Sequence, residues 1–158
     1  MRVVKLGSQV MNSTENLRSL TPPYSFNRWL VPMSGGPNAR AAIQLIPALV
    51  KLGAEEIRLC QVFEPSDSQP DLTVLEQARR DLMRHRKFSR PVSTAPIKAN
   101  SVSDGVINLV KTEHFDVVVL GASREGLLQQ TIKGNIPAAI ALRVESTVIL
   151  VRGVISSQ

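Results

Sequence analysis

One cysteine in 158 residues excludes an intramolecular disulfide framework and a multi-cysteine zinc site. Cys60 stands in the middle of a strand-like run and reads as a small buried hydrophobe. Aromatic residues make up only 4%, too few for a platform that stacks single-stranded bases, so nucleic acid is not an expected partner. Histidine occurs twice: His114, in His114-Phe115-Asp116, precedes a buried strand and reads as a loop-edge residue, and His85 sits among arginines, so neither is expected to be catalytic. No apolar run approaches the ~18 residues of a membrane span. The start, MRVVKLGSQV, lacks the apolar stretch of a signal peptide. Repeats and low-complexity tracts are also missing. These absences lead to the expectation of a soluble, cytoplasmic domain that is not an enzyme.

Enough apolar material is present for a core. Hydrophobic residues are 43% and charged residues 20%, in a chain of single-domain size. Nineteen Lys and Arg against thirteen Asp and Glu leave a net charge of +6. That balance favours anionic partners without naming one. The cations Arg79, Arg80, Arg84, Arg86, Lys87 and Arg90 cluster around His85. They fit the solvated face and C-terminal turn of a helix, and also a patch for an acidic surface.

Residues 1–27 are polar, hold the Pro22-Pro23 pair and sustain no period, so they read as a linker or extension with room for a short strand at 2–6. From Arg28 onward, strands and helices alternate. Residues 29–33, 57–63, 92–99, 117–120 and 147–151 have strand character. Ala42, Ile43, Ile46, Leu49 and Val50 follow helical spacing behind Pro37, a good first helical residue, and Gly53 closes that segment. Pro47 within it predicts a bend. Leu72, Leu75, Ala78, Leu82 and Met83 mark a second helix. Ser103 and Asp104 are candidate caps of a third, and Asn135 with Pro137 opens a fourth. Residues 154–158 form a short tail. This alternation predicts an α/β fold, a five-stranded parallel sheet with helices on both faces. Such sheets bind ligands at the carboxyl ends of their strands, where the strand order reverses.

The loop after the fourth of these strands carries the most chemistry. Gly121 permits a sharp turn, and Gly134-Asn135 stands at a helix start, where amide groups and the helix dipole favour an anion. Arg124 and Lys133 add positive charge. The same glycines also suit a plain strand-to-helix turn.

Taken together, these features resemble the universal stress protein family. Its Gly-x2-Gly-x9-Gly-(Ser/Thr/Asn) signature is met at its outer positions by Gly121 and Gly134, with Asn135 in the polar place. Val31-Pro32-Met33-Ser34-Gly35-Gly36 stands where the family's opening strand ends, and Thr147–Arg152 resembles its closing strand. The likeness covers about residues 28–153. It implies a Rossmann-like sheet of order 3-2-1-4-5, a homodimer joined partly through the last strand and, in some members, bound ATP or AMP with or without Mg. Carried over by position, the nucleotide site comprises Pro32, Met33, Ser34, Val62, Gly121, Gly134, Asn135 and Ile136. Arg124 replaces the signature's middle glycine, where it either blocks phosphate or clasps it, and Gly126 lies two residues on. Ser34 replaces the usual aspartate and is a weaker acceptor for a ribose hydroxyl.

LGASREGLLQQTIKGNIPAAIA further resembles stress-protein domains fused to the C-terminal side of bacterial membrane transporters, notably voltage-gated-type chloride channels. The expected function is thus a regulatory domain binding an adenine nucleotide on the Gly121–Asn135 loop, with a tethered channel as partner at the cytoplasmic membrane face. The alternative is a dimerisation and interaction module of a transporter that binds no nucleotide.

Overall fold

The computed structural model describes residues 2–6, 25–33, 37–86, 88–121 and 135–152. Six strands lie among them: β1 (Arg2–Leu6), β2 (Arg28–Pro32), β3 (Glu56–Phe63), β4 (Val92–Lys98), β5 (Val117–Gly121) and β6 (Thr147–Arg152). Four α-helices alternate with them: α1 (Pro37–Leu49), α2 (Thr73–Arg84), α3 (Val102–Glu113) and α4 (Ile136–Arg143). The spatial order is β1-β6-β5-β2-β3-β4. The five strands β2 to β6 run parallel. Numbered from β2, their order is the expected 3-2-1-4-5. The short segment 2–6 adds a sixth strand that lies antiparallel on β6, from Arg2 opposite Arg152 to Leu6 opposite Val148.

Side-chain alternation along the central strands builds two cores from one sheet. Trp29, Val31, Ile57, Leu59, Val117, Val119, Ile149 and Val151 face one cluster with Ile46 of α1 and Leu75 and Leu82 of α2. Leu30, Cys60, Val118, Leu120, Val148 and Leu150 face the other, against Val106, Ile107 and Val110 of α3 and Ile140 of α4. Continuous β-branched runs such as Val117–Val119 exist because both faces are covered. Burial of each such side chain contributes roughly 1.5–3 kcal/mol. Trp29, fully buried, still donates its indole N–H to the Phe26 carbonyl at 2.6 Å.

Local signals set most boundaries. Pro37 opens α1, which runs through Pro47 to Leu49 and tightens into a 3-10 turn at Val50–Leu52. Gly53 ends it at φ 121°, a conformation that disfavours a side chain. The cap of α3 is Ser101 rather than Ser103 or Asp104. Its hydroxyl oxygen accepts from the Asp104 N–H at 3.1 Å, and the Asp104 carboxylate in turn accepts from that hydroxyl. Leu72 and Met83, expected on the apolar face of α2, are instead exposed, and Leu75, Ala78 and Leu82 carry its contact. At its far end, α3 stops on His114, held at φ 55°. No helix among the described residues is long and apolar enough to cross a membrane.

Candidate functional site

Strand order reverses between β2 and β5. β2 continues outward to β3 and β4, whereas β5 continues to β6. The β2–β5 ladder joins only Trp29 to Val117 and Leu30 to Val118. Beyond that, Val31 and Pro32 pair with Leu59 and Cys60 of β3 alone. Val119, Leu120 and Gly121 pair with Ile149, Leu150 and Val151 of β6 alone. The ladder between the two central strands therefore ends before their carboxyl ends, at the reversal point where sheets of this kind form their ligand crevice.

The candidate residues take unequal parts in this crevice. Pro32 ends β2 and offers no N–H. Met33 donates its N–H to the Cys60 carbonyl at 2.7 Å, and its side chain is buried in the core on the α1 and α2 side. Val62 lies at the carboxyl end of β3 and is covered by α3. A Cβ at Gly105 would come within 2.9 Å of a Val62 methyl, so glycine is what lets α3 sit this close. Ser34, Arg124, Gly126 and Gly134 lie outside the described residues.

Gly121 faces the first turn of α1. A Cβ there would lie 2.6 Å from the Asn38 carbonyl carbon and oxygen and 2.9 Å from the Ala39 nitrogen. The glycine thus brings the start of α1 directly against the end of β5, closing one side of the crevice with backbone. Neither Gly105 nor the Asn38–Ala39 turn was among the sequence candidates. Gly105 had a signal, an isolated glycine within a helical period, which usually marks close packing.

Asn135 is buried at the start of α4 and accepts from the Ala138 N–H through Oδ1 at 3.1 Å. Its carbonyl accepts the Ala139 N–H at 3.0 Å. Pro137 has no N–H. Ile136 is consequently the first-turn residue of α4 whose amide is uncommitted among the described residues, and its side chain is 42% exposed. Because α4 returns the chain from the carboxyl end of β5 to the start of β6, this amide and the positive end of the helix dipole lie at the carboxyl side of the sheet.

Ionisable groups with perturbed equilibria lie elsewhere. Burial pushes the Cys60 thiol far up, against a smaller opposing effect of Arg58, which keeps it an unreactive thiol. The Ser101 hydroxyl, then Arg143, hold Asp104 below the usual carboxylate range. Thr73 does the same for Asp71 through its hydroxyl and its N–H. No group of three His, Cys, Asp or Glu able to hold a metal occurs among the described residues.

Comparisons with known proteins agree with this geometry. No curated protein matches the chain. Among solved structures, a universal stress protein in complex with cAMP superposes with a TM-score of 0.63 at 18% identity, over 79% of this chain and 95% of that one. An Arabidopsis thaliana universal stress family protein with AMP bound gives 0.59 at 17% identity, over 83% and 94%. A universal stress protein from Archaeoglobus fulgidus gives 0.57 at 13% identity, over 80% and 93%. Identities this low speak for the fold. The model of the universal stress protein family matches residues 25–152, from the segment tied to the foot of β2 through the last residue of β6, and the chain belongs to that family.

Proposed function

We propose that this chain is a regulatory module that binds an adenine nucleotide, ATP or AMP, in the crevice between β2 and β5. The observation that carries the reading is the early end of the β2–β5 ladder at the strand-order reversal, with the amide end of α4 on the same side. Two structures of this fold, described as complexes with cAMP and with AMP, support the ligand class. The fit is a backbone one. Pro32 and Gly121 present little side chain, the Ile136 amide is a donor for an anion, and a net charge of +6 favours a phosphate-bearing ligand. Magnesium, where ATP carries it, would arrive on the phosphates. The module acts by differential binding: nucleotide favours the arrangement it fits best and shifts a coupled partner accordingly. Binding rather than turnover is the proposed activity.

Calorimetric titration with ATP, ADP and AMP tests this, and saturable heat with at least one of them is expected. Ile136→Pro removes one amide at a helix position that tolerates proline. It should weaken nucleotide affinity about tenfold, the worth of one charge-assisted hydrogen bond, while leaving the circular dichroism spectrum unchanged. Unaltered affinity would move the phosphate site away from α4.

The second reading is an interaction module tethered to a membrane transporter. Two observations favour it: the space beside Gly121 is filled by α1, and the Asn135 side chain is engaged in its cap. Arg124→Gly separates the readings. Nucleotide binding that appears only in this variant assigns Arg124 the role of a plug. Transmembrane segments in the reading frame upstream would supply the tether.

A further inference from the structure

The positive charge of this chain is gathered in one place. Residues 79–90 hold six of its nineteen cations and one of its thirteen acids, a net +5 out of the total +6. All other residues together carry only +1. The basic balance therefore belongs to this segment and not to the surface at large. Interspersed charges serve solubility, whereas a cluster of one sign makes a local field that draws an anionic partner.

The fold presents these cations instead of neutralising them. α2 ends at Arg84, and Arg80, Arg84, Arg86 and Arg90 are all exposed. Among the described residues, the ion pairs use Arg28, Arg58 and Arg143 and none of these four. Asp81, the one acid of the segment, accepts instead from Gln77 Nε2 at 2.7 Å. Phe88, which stands between Arg86 and Arg90 in the chain, is buried in the core and donates its N–H to the His85 carbonyl at 2.9 Å. The arginines beyond the helix are thus anchored to the body of the domain.

Two apolar side chains share this end of the molecule. β2, β3 and β4 are parallel, so α1 and α2, which connect them across one sheet face, both end at the amino side of the sheet. There Leu52, just past α1, and Met83, in the last turn of α2, are each more than half exposed. The charges of exposed Lys51 and Glu55 cancel beside Leu52, which leaves the arginines to set the sign. Apolar side chains flanked by cations match the boundary of an anionic bilayer, where cations meet headgroups and apolar groups enter beneath them. A single-stranded nucleic acid would need a stacking surface, and the lone phenylalanine of the segment is buried. We propose that this end of the α1–α2 layer, through Arg80, Arg84, Arg86, Arg90, Leu52 and Met83, docks on a membrane surface bearing anionic phospholipid. The proposed nucleotide site lies at the opposite, carboxyl end of the sheet, so the inference stands independently of it.

Co-sedimentation of the full chain with vesicles tests this. The chain should pellet with vesicles of phosphatidylcholine mixed with phosphatidylglycerol and remain in the supernatant with phosphatidylcholine alone. Added salt should release it. Each basic residue near an anionic leaflet is worth about fivefold in binding. Arg84→Gln/Arg86→Gln/Arg90→Gln should therefore weaken binding at least ~10-fold. Arg40→Gln/Lys98→Gln/Lys111→Gln removes the same charge from exposed sites elsewhere and should cost less than ~3-fold. Leu52→Ser/Met83→Ser should weaken vesicle binding at least ~3-fold without altering binding to a short DNA duplex. All these sites are exposed, so circular dichroism should show every variant folded. No binding to the anionic vesicles overturns the proposal. So do equal losses in the two triple variants, or an unimpaired Leu52→Ser/Met83→Ser. Vesicle binding that survives the loss of the three arginines while duplex binding disappears also overturns it, and assigns the cations to nucleic acid.

Discussion

The two ends of the parallel sheet use their residues in opposite ways. At the amino end, side chains are committed to each other. The Asp116 carboxylate accepts from the Ser25 hydroxyl and from the Asn27 and Arg28 amides, all within 3.0 Å. Arg28 bonds Glu56 at 2.6 Å and also donates to the Glu113 carbonyl. Arg58 pairs with the Glu113 carboxylate. Both guanidinium groups lie over the Phe115 ring, at 5.0 and 5.8 Å from its centre. At the carboxyl end, the ladder between the two central strands instead stops, and Pro32, Gly121 and Asn135 contribute a missing donor, a missing side chain and a helix cap. One end is a polar clamp that fixes where β2 enters the sheet. The other leaves backbone at the reversal point, where a ligand's anionic groups can be met by amides. Partly exposed ion pairs are worth little one by one, about 0–1 kcal/mol, so the clamp depends on its charge-assisted backbone hydrogen bonds.

Gly121→Ala should have the largest effect. Its Cβ would press on the Asn38 backbone, and overpacking of this kind costs roughly 1–3 kcal/mol. Because α1 would have to shift away from β5, both urea stability and any nucleotide affinity should fall. A neutral Gly121→Ala would show that α1 gives way freely. Asp116→Ala comes next. Loss of its hydrogen bonds should lower unfolding free energy by about 2 kcal/mol while nucleotide affinity of the folded protein stays the same. A drop in affinity would mean that the two ends are coupled. Asp104→Asn should be smallest and depends on pH. The Ser101 hydroxyl and Arg143 depress the native carboxyl's pKa, so its contribution is present above the ordinary carboxylate range and is lost as pH falls through the native value. Melting temperatures of native and variant chains should therefore differ most near neutrality and converge in acid.

Strand alternation was legible because both faces of a parallel sheet are buried, which yields runs such as Val117–Leu120 and Val148–Val151. Helix starts were legible at Pro37 and Asn135, where the constraint is local. The sequence pattern does not single out the cap of α3, because Ser101, Ser103 and Asp104 are each good capping residues, and only the backbone turn at Ser101 selects one. Leu72 and Met83 have the spacing of the apolar stripe of α2, yet they stand 37% and 57% exposed, because the packing of the helix on the sheet and not its period sets the width of the buried face. Of the candidate site, Asn135 was correctly placed at the helix start. The packing uses of Gly121 and Gly105 were not visible, because each depends on a backbone or side chain distant in sequence.

Composition and period alone determined an α/β chain with two buried sheet faces, since residue chemistry and strand or helix repeat act over a few neighbours. The antiparallel seat of residues 2–6 on β6, the early end of the β2–β5 ladder, and the contact of α1 with Gly121 were decided only by the folded chain. Each joins segments far apart in sequence, and no local pattern encodes which distant backbone will lie alongside.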